Sequence, residues 1–364
     1  DGIGRYAFEV LKQITKNNPK VEFHFIFDRN FSDEFLFTKN IVPHVLSPQT
    51  RHPILWYVWF QIQLPKLLDK IQPDIFFSPD GFIPKYSKCP SINTIHDINF
   101  EHRPQDLKWT HSIFYRRYFK QYAKLSSHII TVSQYSKKDI MKIYNIKNNK
   151  IDVIYNGVSN QFDSVSMNDQ KRIKQEYTQN EDFFIFIGSM HKRKNINNLL
   201  IAFNNYKKKN GKYKLVIIGE QKWTDKKTKN TYNSMEYKQD VIFLGRIDEG
   251  KLPIILGSAK ALCFVSLFEG FGLPIIEAMK SSVPVITSNT SAMPEVAKNA
   301  AILLDPHETK DITNALFMIE KNKKYTSKLI QQGCERAMEF NWENCAQKTW
   351  HIIESKYKNE CKNI

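Results

Sequence analysis

The sequence predicts an α/β protein built as two doubly wound halves. Three observations carry this. The chain has 364 residues, too long for one ordinary domain at roughly 150 residues each. Helical and strand patterns alternate along its whole length, as expected where helices cover parallel sheets. The second half also holds short continuous apolar runs, which suit strands buried on both faces.

In order, residues 9–15 read as helix and 21–27 (Val-Glu-Phe-His-Phe-Ile-Phe) as strand. A helix is predicted at 56–71, a strand at 73–77, and a short strand at 91–95 that ends on His96-Asp97. A long helix is predicted at 109–124, a strand at 128–132, a helix at 136–143 and a strand at 151–155. The second half repeats the scheme, with strands expected at 183–187, 214–218, 241–244, 261–265 and 284–287. Residues 156–179 are polar, open on Asn156-Gly157 and show no apolar period. They are expected to separate a first domain, 1–158, from a second, 159–341. A last helical pattern begins at Trp342 and is assigned to 342–364.

Composition narrows the function classes. The apolar stretch 53–68 is broken by Gln61, Gln63 and Lys66 and falls short of the ~20 apolar residues of a spanning helix. The formal net charge is +16 and is spread over both halves. Such a surplus favours anionic partners such as phosphorylated substrates, anionic lipid or nucleic acid, unless it is plain lysine-rich composition. Cys89, Cys263, Cys334, Cys345 and Cys361 are scattered without C-x-x-C spacing. That argues against a disulfide framework or a zinc site and for a reducing compartment. No signal-peptide pattern is present.

Two stretches carry chemistry on their residue types alone. Gly2-Ile3-Gly4-Arg5-Tyr6-Ala7 fits G-x-G-x-x-A at a helix start, and Asp28 ends a strand about twenty residues on, formally a dinucleotide-binding pattern. Ser266-Leu267-Phe268-Glu269-Gly270-Phe271-Gly272-Leu273-Pro274-Ile275-Ile276-Glu277-Ala278 follows a buried strand and enters a helix. Glycines at a helix N-terminus expose backbone N–H groups to an anion, and Pro274 suits the first turn. Carboxylates repel phosphate but grip hydroxyls. Glu269 and Glu277 beside an anion site therefore point to a ligand with both phosphates and sugar hydroxyls, a nucleotide sugar. The plain alternative is a dipole-stabilising Glu269 and a solvated Glu277.

The segment Phe268-Glu269-Gly270-Phe271-Gly272-Leu273-Pro274-Ile275-Ile276-Glu277-Ala278-Met279 resembles the E-x7-E signature of family 4 retaining glycosyltransferases. In the same order, Gly188-Ser189-Met190-His191-Lys192-Arg193-Lys194-Asn195 resembles their R-K-N turn. Val241-Ile242-Phe243-Leu244-Gly245 resembles their nucleotide-side strand, and Ser288-Asn289-Thr290-Ser291-Ala292-Met293-Pro294-Glu295-Val296 the segment after the next strand. Ile154-Tyr155-Asn156-Gly157-Val158 is similar to their interdomain linker, and Gly2-Ile3-Gly4-Arg5-Tyr6 to their acceptor-side glycine loop.

The resemblance implies two Rossmann-like domains facing across a cleft, the GT-B fold, with the first domain on the acceptor side and the second holding the donor. It implies a last helix that packs back on the first domain. It also implies a strand before the glycine loop, so that the abrupt start at Asp1 predicts a missing N-terminal segment. By resemblance, Glu269 hydrogen-bonds donor sugar hydroxyls and Glu277 the ribose, while the Phe271, Gly272 and Leu273 backbone meets the diphosphate or sugar. Arg193 and Lys194 neutralise the leaving diphosphate, in a turn that opens at Gly188, and Gly245 ends the nucleotide-side strand. Many relatives place an Arg after the first glycine, where this chain has Ser189; Arg193 substitutes for it, as in the R-K-N subgroup, and equal shares for Arg193 and Lys194 are not implied. His96 lies by the reacting carbon. Asp97 orients its imidazole or caps the next helix, and Gly2, Gly4 and Arg5 lie on the acceptor side.

The implied activity is retaining hexosyl transfer from a GDP- or UDP-linked sugar, mannose from GDP-mannose as first choice, to a growing surface glycan or lipid-linked acceptor. No D-x-D is present. With cations and a helix N-terminus in place of a metal, no metal and no other cofactor are expected. Aromatics and cations interleave from Trp109 to Lys124, so this helix is either an anionic-membrane surface or a half-buried core helix. A cytoplasmic location, or one on the inner face of the membrane, follows, with no nucleic-acid partner. Two rivals stand beside this reading, an NAD(P)-dependent oxidoreductase and a non-enzymatic basic protein that binds nucleic acid or membrane.

Overall fold

The computed structural model describes residues 2–220, 226–248 and 250–361, with side chains through Asn359. Cys361 lies outside the described side chains. The chain divides into two compact units, one of residues 1–157 with 342–364, the other of residues 158–341.

The first unit holds β1 (Phe23–Phe27), β2 (Ile41–Val45), β3 (Phe76–Ser78), β4 (Ser91–Thr94), β5 (His128–Thr131) and β6 (Ile151–Val153). All pairing is parallel, as β1-β2 and as β3-β4-β5-β6. The second strand, Ile-Val-Pro-His-Val, escapes the sequence pattern because its residues alternate between covered and exposed and include a proline. Residues 53–71 form one helical run, α-helical at Pro53–Val58 and Leu64–Ile71 and π-helical at Trp59–Gln63. The widened turn lets a polar residue face inward. Gln61 is buried, donates to Ile83 O and Tyr122 Oη at 3.1 and 3.2 Å, and accepts from Lys85 N at 2.8 Å.

As the helix start read from the pattern implies, Gly2 and Gly4 are exposed residues in the first turn of the helix Gly2–Asn17, and the loop implied by the resemblance does not describe them. The helix Trp109–Leu125 buries Phe114, Phe119 and Tyr122 in a cluster with Phe82, Phe100 and Tyr144. Most of its aromatics are therefore core. Trp109, Ile113, Arg116, Arg117, Lys120 and Lys124 stay exposed, and their four- and three-residue spacing places them along one stripe.

The second unit holds β7 (Phe183–Ile187), β8 (Lys214–Ile218), β9 (Val241–Gly245), β10 (Ala261–Phe264), β11 (Val285–Ser288) and β12 (Ala301–Leu304). They form one sheet in the order β12-β11-β10-β7-β8-β9, parallel throughout. This is the doubly wound dinucleotide-fold order, and it reverses direction between β7 and β10. Every residue of β7, β10 and β11 is buried, which is why they read as apolar runs. The core beneath joins Phe184, Phe186, Phe203, Tyr206 and Leu215. The polar stretch 156–179, to which the sequence pattern assigned no element, contains the helix Met167–Thr178. Only Ile173 and Thr178 of that helix are buried, too few to leave an apolar period. The Ser166 hydroxyl accepts from Asp169 N and caps it.

Candidate active site

In open α/β sheets ligands bind at the carboxyl ends of the strands, where the order reverses. In the second unit that point lies between β7 and β10, and the two loops leaving these strands are tied together. Leu267 N–H donates to Arg193 O at 2.7 Å. The first loop holds the turn Lys192–Lys194 and ends at Asn195, whose φ is 59°. The Asn195 side-chain amide donates to Val265 O and Pro306 O at 3.0 and 2.6 Å, so this asparagine anchors the turn to the strand end opposite. In the second loop, Glu269 N–H donates to Ser291 Oγ at 3.0 Å and Glu269 O accepts from Ala292 N at 3.3 Å.

These anchors bring three charges together. Arg193 Nη1 lies 2.7 Å from Glu269 Oε2, and Lys194 Nζ lies 2.7 Å from Glu269 Oε1. The same Arg193 nitrogen donates to Phe268 O at 3.2 Å. Lys194 and Glu269 are buried, and the lysine ammonium stands 4.7 Å from the centre of the Phe264 ring. Burial alone would raise the Glu269 carboxyl, but Arg193 and Lys194 outweigh it and hold the group at about 2.

The strand ends beside this triad are unusually close. Gly188 N–H donates to Ile218 O and Gly219 N–H to Gly245 O. A Cβ on Gly219 would lie 2.0 Å from Gly188 O, whereas one on Gly245 would meet nothing within 4 Å. Gly272, in the left-handed region at φ 103°, precedes the helix Leu273–Lys280. Glu277, in that helix, is buried rather than solvated. Phe271 is buried and packs its ring against Phe340, with centroids 5.6 Å apart.

The other predicted residues belong to the first unit. His96 follows β4, and its Nε2–H donates to Pro79 O at 2.9 Å. A carbonyl can only accept, so Nδ1 is the ring's acceptor. Burial lowers the His96 pKa, a tendency that the Pro79 bond and the Asp97 charge oppose. Asp97 accepts from Asn99 N and Nδ2 at 2.9 and 2.6 Å, just before the short helix Asn99–His102, whose N-cap is Ile98. Tyr6, beyond Gly2, Gly4 and Arg5, packs edge-on against His96 at 4.8 Å and bonds Thr94 Oγ1 at 3.0 Å. Sequence reasoning quoted Tyr6, Asn195 and Ser291 inside motifs but gave them no task. It passed over Gly219, whose only signal was a glycine directly after an apolar strand. Among the described residues no three His, Cys, Asp or Glu side chains form a metal-binding group.

Residues 1–162 match the family described as Glycosyltransferase Family 4, and residues 167–336 match Glycosyl transferases group 1. A Salmonella typhimurium protein named O-antigen chain mannosyltransferase RfbU is 30% identical over 78% of this chain and 75% of its own length. The Escherichia coli O-antigen chain mannosyltransferase B is 25% identical over 96% of this chain and 94% of its own. Among solved structures, Anabaena HepE in complex with UDP-glucose aligns with a TM-score of 0.77 at 17% identity, covering 96% of each chain. WaaG, a glycosyltransferase involved in lipopolysaccharide biosynthesis, aligns with a TM-score of 0.76 at 13% identity, covering 97% of this chain and 96% of its own. The structural likenesses show the two-Rossmann fold, and the sequence matches show the family: the chain belongs to the family 4, group 1 glycosyltransferases.

Proposed function

We propose that the protein is a retaining hexosyltransferase that binds a nucleotide sugar at the β7–β10 edge and passes the sugar to a growing surface glycan or lipid-linked acceptor. The observation that carries this is the convergence of two fixed cations and a buried carboxylate where the strand order reverses. Cations suit a diphosphate and the carboxylate suits sugar hydroxyls, and no simpler ligand needs both. Glu277 takes the ribose hydroxyls. The glycosidic bond to the diphosphate breaks first, and Arg193, Lys194 and the Gly272 backbone stabilise the departing charge. The acceptor hydroxyl attacks the same face, and its proton goes to the departing phosphate oxygen. His96, held by Tyr6 and Pro79, is assigned to the sugar by the family resemblance alone. In this reading no metal takes part. Mannose from GDP-mannose is the first choice of donor, supported by relatives named as mannosyltransferases. A solved neighbour named with UDP-glucose makes UDP the nucleotide to test beside GDP.

The deciding experiment is thermal stabilisation of the whole chain by GDP, UDP, NAD and a single-stranded oligonucleotide. GDP or UDP should raise the Tm, and Glu277→Ala should remove most of that rise. Failure of both nucleoside diphosphates to bind would sink the proposal, and a response to NAD alone would favour an oxidoreductase.

The proposal extends to the location. Among the described residues no helix is long and apolar enough to cross a membrane. The exposed stripe of Trp109, Ile113, Arg116, Arg117, Lys120 and Lys124 combines apolar anchors with cations, as a helix on an anionic bilayer requires. Arg116→Glu with Arg117→Glu should weaken binding to anionic phospholipid vesicles about tenfold or more and leave GDP and UDP binding unchanged. Unchanged vesicle binding would make the stripe merely solvated.

A further inference from the structure

Both oxygens of Glu269 face cations, at 2.7 Å each. If Arg193 and Lys194 are the diphosphate cations, as proposed above, an incoming diphosphate meets a site where its partners are already engaged by a buried anion. The Arg193 nitrogen on Glu269 also donates to Phe268 O, which uses both of its hydrogens. Lys194 is walled in by Phe264 and Glu269. Two cations cannot balance a carboxylate and a diphosphate together, and in a water-poor site the excess negative charge is costly. A complete donor resolves this, because its sugar brings neutral hydroxyl donors that Glu269 can accept in place of a cation. A nucleoside diphosphate alone brings no such replacement.

We propose that Glu269 is an internal stand-in for the diphosphate. Before a donor binds, it holds the two cations. When the donor enters, it yields at least one of them to the diphosphate and turns the released oxygen to a sugar hydroxyl. After transfer the sugar has left, and Glu269 reclaims the cation from the nucleoside diphosphate. The carboxylate thereby discriminates donor from product and promotes product release. No bond other than hydrogen bonds and ion pairs changes in the exchange.

The test is calorimetric binding of GDP, UDP, GDP-mannose and UDP-glucose to the whole chain and to Glu269→Gln, which keeps the shape and loses the charge. The nucleoside diphosphate that wild type binds should bind the variant about tenfold tighter, the scale of one charge-assisted hydrogen bond, while its sugar-linked form gains less. Equal or weaker binding of that diphosphate overturns the exchange and leaves the proposed function standing. Absence of GDP and UDP binding in wild type overturns both. Should the variant fail to fold, a crystal structure of wild type with the bound nucleotide sugar decides. At least one cation should then stand more than ~4 Å from Glu269, beyond ion-pair reach, with a sugar hydroxyl on the released oxygen, and two intact pairs beside a bound nucleotide sugar overturn the proposal.

Discussion

Lys194→Met is expected to slow transfer by roughly 10²–10³-fold, the usual loss when one preorganised charge is taken from a developing anion. Lys194 is held more firmly than an ordinary surface lysine. It is buried, it lies against Phe264, and the next residue is bonded to two strand-end carbonyls. Its charge is in place before the leaving group forms, so little reorganisation opposes its action. Methionine keeps most of the side chain's bulk and removes only the ammonium. The loss should fall on kcat as well as kcat/KM, measured in EDTA with wild-type transfer undiminished. A decrease below tenfold would remove Lys194 from the leaving-group role.

The same variant has a signature in acid. With its carboxyl at about 2 against an ordinary value of 4.5, wild-type Glu269 adds stability that is fully present above pH 4.5. That stability is lost as the pH falls through the window toward 2. Lys194→Met raises the carboxyl toward its ordinary value and should shrink this acid-sensitive part of the stability.

Gly219→Ala is expected to destabilise the second unit by about 3–5 kcal/mol, which lowers Tm by roughly 6–15 °C for a unit of this size. Two independent causes act together. Its φ of 143° is a conformation that side chains rarely adopt, and the added Cβ would meet the Gly188 carbonyl at 2.0 Å. The carbonyl cannot withdraw, because the Gly188 and Gly219 amides both bond neighbouring strand ends. Gly245→Ala is the control. Its φ is also positive at 68°, but the space around it is open, so the cost should stay near 1–2 kcal/mol. Equal losses at the two positions would show that backbone conformation alone matters and the close approach does not.

How much the sequence disclosed depended on burial. The strands β7, β8 and β10 were legible because both faces are covered, which leaves a run of apolar residues. The strands β2 and β12 were missed because they present residues to solvent, and β2 carries Pro43 and His44. The helix Met167–Thr178 was missed for the opposite reason, having almost nothing to bury. The site was legible motif by motif but not as an arrangement. Arg193, Lys194 and Glu269 were each named, yet nothing in a linear reading joins a turn after β7 to a loop after β10. Only the strand order makes those loops neighbours. The glycine segment carried two readings, a helix start from its pattern and a loop from the resemblance, and here it is the helix. The orientation of His96 rests on the Pro79 carbonyl, a backbone group with no sequence signature.

The last helix has a consequence for how the chain acquires its structure. It packs against the helix Gly2–Asn17, with Trp342 near Tyr6 and Trp350 near Phe23, so the first unit joins segments more than three hundred positions apart. Closing so long a loop of unstructured chain is entropically unfavourable and slow. The second unit, one uninterrupted stretch from 158 to 341, leaves the ribosome before that helix does and can collapse alone. Once folded, it replaces a loop of disordered chain with a rigid body and eases the final docking. A defect confined to the second unit, such as one at Gly219, should therefore delay completion of the first unit as well, although no residue of the first has changed.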